Sequence, residues 1–428
     1  MRFSRIITGA VFLGVAAMVL SGCSGSPAAS DGNDGGDAEL TVTWWGSEAR
    51  IAMYEEAFKI FEKEHPGVTV TGVPSDYQSY WTSRTTEAAA RTLPDVMQFD
   101  PNLTKYAQNG LLLDLDDYVG DTIDFSNVDE NVVKSAQIDG KQFGVPMGTS
   151  TLAVYVNTEL VKKAGVEMLD EDYTWDDLNQ FVQDITAAGV SNDDGQKVYG
   201  GLDHGVSTNI FYQWLYQRGI TPWKKDGVPG FTKNDIVEFL KLQDATMDAQ
   251  AFYPIERATQ VAPLDGFAMG EAATAFVYDN YFARYAPEVG AENIAILPVP
   301  TGADGEKHMW FQVSNYGVGA NTKHPKEATA LASFLAIDPR VAEIFGTDRG
   351  LNVDQKTLAD FVPKEGTGDP FVIDYEQKVR DWATEVVPVT PENFSSYESE
   401  WLRLNDERRY GNITPEQFAD QWWAEAGL

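Results

Sequence analysis

Residues 39–70 constrain the fold more than any other stretch of this chain. They open with Glu39-Leu40-Thr41-Val42-Thr43, an alternation of polar and apolar residues rich in β-branched side chains, which predicts a short half-buried strand. Trp44-Trp45-Gly46-Ser47-Glu48 follows. Ile51, Tyr54, Ala57, Phe58 and Phe61 then recur at spacings of three and four, so one stripe of a helix is expected to be buried. His65-Pro66-Gly67 ends that helix, and Val68-Thr69-Val70 reads as a second strand. A strand, a helix and a strand within roughly 30 residues make the unit in which a crossover helix joins two parallel strands. Ligands of open α/β sheets bind beyond the carboxyl ends of the strands. Trp44, Trp45 and Glu48 stand at such an end and are candidate binding residues, against the competing expectation that a tryptophan there caps the core.

A chain of 428 residues is too long for most single cores, so two domains are expected, and 43% hydrophobic residues suffice to fill them. The formal net charge is -33. So acidic a surface repels phosphate backbones, which argues against nucleic acid as a partner and for a solvated monomer.

The N-terminus reads as an address. Arg2 and Arg5 precede the apolar run 6–20, too short for a membrane span and matching a secretory signal over 1–22. Leu20-Ser21-Gly22-Cys23 resembles the bacterial lipobox, whose cysteine is lipidated and becomes the first residue after cleavage. Cys23 is the only cysteine and can form no internal disulfide, so lipid attachment is its expected role. Residues 23–37 then hold the lipidated Cys23 and a Ser, Gly, Ala and Asp tether, spanning on the order of 20 Å by random-coil scaling.

Further along, 77–90 reads as a helix carrying Tyr77, Tyr80 and Trp81, 94–99 as a strand ending at Asp100, and 103–109 as a helix capped by Gly110. Thr174-Trp175-Asp176-Asp177 predicts a capping box, with Asp in place of Glu, and Thr414-Pro415 predicts a helix start. Residues 212–219, 234–249 and 326–336 read as amphipathic helices. The strings FEKEHPGVTV, AAARTLPDVMQFD, YAQNGLLLDLDDY, GKQFGVPMGTSTLAVYVNTELVKKAGV, TWDDLNQFV, GEAATAFVYDNYF, YGVGANTKHPKEATALASFLA and GLNV occur in that order. Together they resemble the extracellular solute-binding proteins of carbohydrate ABC importers, the maltose-binding-protein-like family. The resemblance implies a periplasmic-binding-protein-like α/β fold, with two lobes joined by a multi-stranded hinge and a ligand cleft between them. It places the crossings near 147–152, 310–314 and 338. The lobes are then 38–148 plus 314–338, and 149–313 plus 339–428. Gly144-Val145-Pro146-Met147-Gly148, a strand interrupted by Gly and Pro, suits a chain leaving one lobe for another.

Enzyme signatures are scarce. The sequence holds no HExxH, GxSxG or P-loop, and His65, His204, His308 and His324 lack metal-ligand spacing, so no metal or cofactor is expected. Gly317-Val318-Gly319 reads as a strand whose glycines permit close packing. A carbohydrate cleft needs flat aromatics for sugar faces and charged or amide groups for hydroxyls, and the chain has eleven Trp and eighteen Tyr. By the resemblance, the ligand-binding residues are Trp44, Trp45, Glu48 and Arg50 after the first strand, Tyr77 and Trp81 on the next helix, and Asp100. Thr149 and Ser150 follow at the first crossing, then Asp203, His204, Asp279, Asn280 and Tyr281, then Trp310, Arg349 and Tyr397. Tyr281 stands where the family commonly has a stacking Trp.

The expectation is a lipid-anchored receptor on the outer face of the bacterial cytoplasmic membrane. It passes a sugar or oligosaccharide to ABC permease subunits and touches the membrane through its anchor alone. Arg50 could pair with a uronate, yet the negative body favours a neutral oligosaccharide. The alternative is a surface-tethered glycoside hydrolase, which needs two facing carboxylates; a surface adhesin is a third, weaker reading.

Overall fold

The computed structural model describes residues 37–426 apart from Ser47, Pro101, Lys225, Asp226, Glu365, Pro388, Val389 and Glu392. The expected signal, Cys23 and nearly all of the tether fall outside the described residues. Among the described residues, no helix is long and apolar enough to cross a membrane.

The strands are β1 (Ala38–Trp45), β2 (Val68–Ser75), β3 (Val96–Phe99), β4 (Gln137–Ile138), β5 (Lys141–Gln142), β6 (Gly144–Asn157), β7 (Thr274–Tyr278), β8 (Ile294–Leu297), β9 (Met309–Val318), β10 (Leu351–Asn352) and β11 (Ala383–Val386). β1 pairs in parallel with β2 on one side and β3 on the other. The expected crossover unit is therefore present, with β1 running two residues beyond Thr43. Period-two alternation sends Leu40, Val42 and Trp44 into the core. The Glu48–Glu64 helix closes over them with Tyr54, Ala57, Phe58 and Phe61 buried. Trp44 stacks on Tyr54 at 3.9 Å between ring centroids and meets Phe58 edge-on at 6.0 Å. Gly72 on β2 makes room for it, since a Cβ there would lie 2.5 Å from the far edge of the Trp44 ring.

The sheet continues in the order β10-β6-β9-β3-β1-β2, with β11 paired to β9 and both β7 and β8 paired to β6; β4 and β5 form a separate hairpin. β6 decides the architecture. Its first half, Gly144 to Thr151, pairs with β9, and its second half, Leu152 to Asn157, pairs with β7 and β8. Val145 and Met147 join the core built on β1, whereas Leu152 to Val156 join a second, larger core with Trp175, Phe211, Trp401 and Trp422. One continuous strand thus belongs to two hydrophobic cores. The irregular register between Pro146 and Gly148 marks the passage. Gly148 is required there, because a Cβ would come within 2.3 Å of the Arg349 carbonyl oxygen.

The chain does not leave the first core near 338. Val341 and Phe345 of the Pro339–Phe345 helix are still part of it, Phe345 packing edge-on to Tyr54 at 4.9 Å, and Leu351 is the next residue to join the second core. An apolar pair four residues apart holds the helix there longer than the resemblance implied.

Local signals hold where capping chemistry carries them. Thr174 and Asp177 exchange reciprocal bonds at 2.9 and 3.2 Å, and Thr414 caps Pro415–Glu425 the same way. The 234–249 helix is broken into Lys233–Lys241 and Asp244–Asp248, and 212–219 is realised as Thr208–Tyr216.

Candidate functional site

The Tyr77–Ala90 helix starts directly after β2, with Asp76 capping it by accepting from the Ser79 amide at 2.9 Å. Tyr77, Tyr80 and Trp81, at spacings of three and four, fall on one face beside the end of β1. Trp45 meets Tyr80 at 5.0 Å, Tyr77 at 5.5 Å and Trp81 at 5.8 Å. Trp81 rests on Phe99 and Tyr106 behind it. The result is a braced aromatic wall, of which Tyr77 keeps 36% of its surface exposed.

That wall faces the Phe394–Arg409 helix of the second core across a cavity of about 840 Å³. Tyr77, Trp81, Thr85 and Lys105 line one side of it, and Tyr397, Glu398, Glu400 and Trp422 the other. The Tyr77 hydroxyl donates to Asp100 Oδ2 at 3.3 Å. Burial and the charge of Glu398 push the Asp100 carboxyl up to about 8, and burial alone pushes Glu398 up to about 7. Tyr278, at the end of β7, is raised well above its ordinary value by burial and by the charges of Asp100 and Glu398. Asp100 Oδ1, the Tyr278 hydroxyl, Asn280 Oδ1 and Trp310 Nε1 are all buried without a partner among the described residues. Trp310 lies 6.5 Å from Tyr278, ring to ring. Buried polar atoms are ordinarily paired, so unmatched atoms such as Asp100 Oδ1, on a carboxyl bonded to the cavity-lining Tyr77, are suited to a hydrogen-bonding guest.

Several expected residues lie elsewhere. Trp44 is in the core, because the extra length of β1 turns it inward. Arg50 is spent on an ion pair with Asp348 at 2.6 Å and on the Trp45 carbonyl at 2.8 Å. Arg349 is buried over the Phe345 ring at 3.6 Å, donating to the Leu335 carbonyl and the Tyr316 hydroxyl. Asp203 accepts from Gly205 and Asn405 and pairs with Arg409. His204 is 1% exposed among Phe252 and Phe276, and burial lowers its imidazole to about 4. Asp279 accepts from the Thr151 amide at 3.1 Å behind the site. Thr149 and Ser150 are half-buried in β6, Thr149 pairing with both β10 and β9. Glu48 is exposed at the start of its helix, and half-buried Tyr281 packs on Tyr285. Of the expected residues, Tyr77, Trp81 and Tyr397 line the cavity, Trp45 braces the first two, Asp100 is bonded to Tyr77, and Asn280 and Trp310 carry unmatched buried polar atoms. Tyr397 is itself stacked on Trp223.

Glu398 and Tyr278 were not anticipated. Both adjoin anticipated residues, Tyr397 and Asp279, but nothing in one acid among 65 announces a facing wall. Among the described residues no group of His, Cys, Asp and Glu could hold a metal ion.

A family profile described as bacterial extracellular solute-binding protein matches residues 56–356. The chain belongs to this family. A putative binding protein of Brucella abortus is 28% identical over 312 residues, covering 71% of this chain and 72% of that protein. A Listeria monocytogenes ABC substrate-binding protein solved with cycloalternan has a TM-score of 0.76 at 20% identity, covering 92% of this chain and 100% of its own. A Yersinia enterocolitica oligogalacturonide-binding protein, solved with saturated digalacturonic acid, has the same TM-score and identity, covering 91% and 98%. The solute-binding protein therefore has the periplasmic-binding-protein-like α/β fold of two lobes.

Proposed function

We propose that this solute-binding protein captures a sugar or oligosaccharide between its lobes and delivers it to the permease of an ABC importer, without transforming it. The observation that carries the reading is the cavity itself, an aromatic wall of Trp45, Tyr77 and Trp81 beside buried polar atoms that no described residue satisfies. Sugars offer an apolar ring face and a rim of hydroxyls, the complement of that surface. Relatives of the same fold carry cycloalternan and digalacturonic acid. In our reading one lobe comprises 38–148 and 314–345, and the other 149–313 with the remainder, so the crossings lie in β6, β9 and the segment after Phe345. Lobe closure around a ligand that contacts both sides shifts an open-closed equilibrium by its differential affinity. Anchoring through lipidated Cys23 to the outer face of the cytoplasmic membrane, as a monomer, completes the proposal.

A thermal-shift screen against mono- and oligosaccharides tests it. A ligand at a hundredfold its dissociation constant stabilises by about 2.7 kcal/mol, enough to raise the melting temperature by several degrees. No shift with any saccharide would refute the reading. The glycoside hydrolase reading draws on two raised carboxyls, Glu398 in the cavity lining and Asp100 behind Tyr77. Chromatography of the bound oligosaccharide after long incubation separates the two: intact ligand supports capture, and shortened ligand supports hydrolysis.

A further inference from the structure

The cations expected at the site are spent internally, whereas one oxygen of the Asp100 carboxyl is not. Arg50 is held by Asp348 and Trp45, and Arg349 by Tyr316, Leu335 and Phe345. Asp100 receives the Tyr77 hydroxyl on one oxygen, and its other oxygen is buried with no partner among the described residues, as is Asn280 Oδ1. Glu398 approaches from the opposite wall. Glu400, Glu425, Lys105 and Arg403 also line the cavity, and Arg403 is paired with Glu400 on its own helix. Aromatic rings at Trp45, Tyr77 and Trp81 complete the surroundings. Carboxyl oxygens beside aromatic rings are what an ammonium group needs, through charge-assisted hydrogen bonds and cation–π attraction. They are what a ligand carboxylate avoids.

We infer that the cleft selects a saccharide bearing a protonated amine, with Asp100 and Glu398 as acceptors for its ammonium and the aromatic wall as its stacking surface. The inference rests on the saccharide reading above and narrows it to a ligand class. The groups around the ammonium are Asp100, Glu398, Tyr77 and Tyr278, with Lys105 and the Arg403–Glu400 pair also in the cavity lining; burial raises both carboxyls toward neutral pH, and the charge of Glu398 adds to it for Asp100. An arriving ammonium makes the ionised form favourable, so a carboxyl gives its proton to the buffer as the charged hydrogen bond forms. Binding of a neutral sugar releases none.

Titration calorimetry of the mature protein at neutral pH, in buffers of different ionisation enthalpy, tests this with four trisaccharides: glucosamine, N-acetylglucosamine, glucose and galacturonic acid. The amine trisaccharide is expected to bind at least tenfold more tightly than its acetylated form, on the order of one charge-assisted hydrogen bond. Its heat should also vary with the buffer in the sense of proton release. Asp100→Asn and Glu398→Gln should each shrink the preference for amine over acetylated sugar. Equal or tighter binding of the glucose or galacturonic acid trisaccharide would overturn the inference and leave the saccharide reading standing. Buffer-independent heats for the amine in the wild-type protein would overturn it even if the variants fail to fold. Binding of spermidine with no saccharide bound at all would overturn both.

Discussion

Adjacent tryptophans on β1 have opposite fates. Trp44 is 1% exposed and stacked on Tyr54, while Trp45, one residue on, turns to the other face and supports the cavity wall. Trp44→Ala is therefore expected to cost about 3–5 kcal/mol in urea denaturation, the range for emptying a large aromatic site in a core. Trp45→Ala should instead lower saccharide affinity by about tenfold, the scale of one aromatic contact and its buried area, with a smaller loss of stability. Equal destabilisation by both would show that the two rings serve the same core. At this scale the sequence was legible in part. The strand end was readable from alternation, yet which tryptophan faces inward depended on β1 running two residues longer than its β-branched portion. Arg50 and Arg349 were misread for a related reason: their partners, Asp348 and Tyr316, are close only after folding.

At the scale of elements, β6 links two cores, and its midpoint is tightly fitted. Gly148→Ala should destabilise by about 1–3 kcal/mol, because the added methyl meets the backbone of Arg349 rather than a movable side chain. Thermal denaturation measures this, and an unchanged melting temperature would show that β10 can retreat from β6. Just beyond, the Thr151 hydroxyl lies 3.1 Å from Asp279 Oδ2 and 3.0 Å from Glu376 Oε1. It can donate to only one of them. Tyr375 and Tyr155 close the pocket, donating to the Leu152 and Asp279 carbonyls. Burial raises both carboxyls, and for Glu376 the Asp279 charge adds to it. A raised folded-state value means that the folded protein binds more protons than the unfolded chain. The contribution is then fully present below the ordinary carboxyl range of about 4 and is lost as pH rises through the raised values. Glu376→Gln should accordingly flatten the fall in melting temperature as pH rises above the ordinary carboxyl range, relative to wild type. A parallel pair of curves would show that the Glu376 carboxyl is not raised in the folded protein. Helix starts were readable because capping boxes are local, as at Thr174 and Thr414, whereas the departure from the first core after Phe345 depends on distant Tyr54.

For the whole molecule, two cores joined by continuous strands predict lobes that can move as bodies about β6 and β9. Saturation with ligand should lower the radius of gyration in small-angle scattering; no change would count against closure. The family order of landmarks was legible because it is spread along the chain, but the cavity was not, since its second wall comes from the Phe394–Arg409 helix, far from β1 in sequence. The central claim is that this cleft holds a saccharide. Titration calorimetry of saccharides into the wild-type protein and Trp81→Ala tests it most directly. The account predicts micromolar binding, about -8.2 kcal/mol, weakened at least tenfold in the variant. Saccharide heats that are absent, or that are identical in the two proteins, would contradict it.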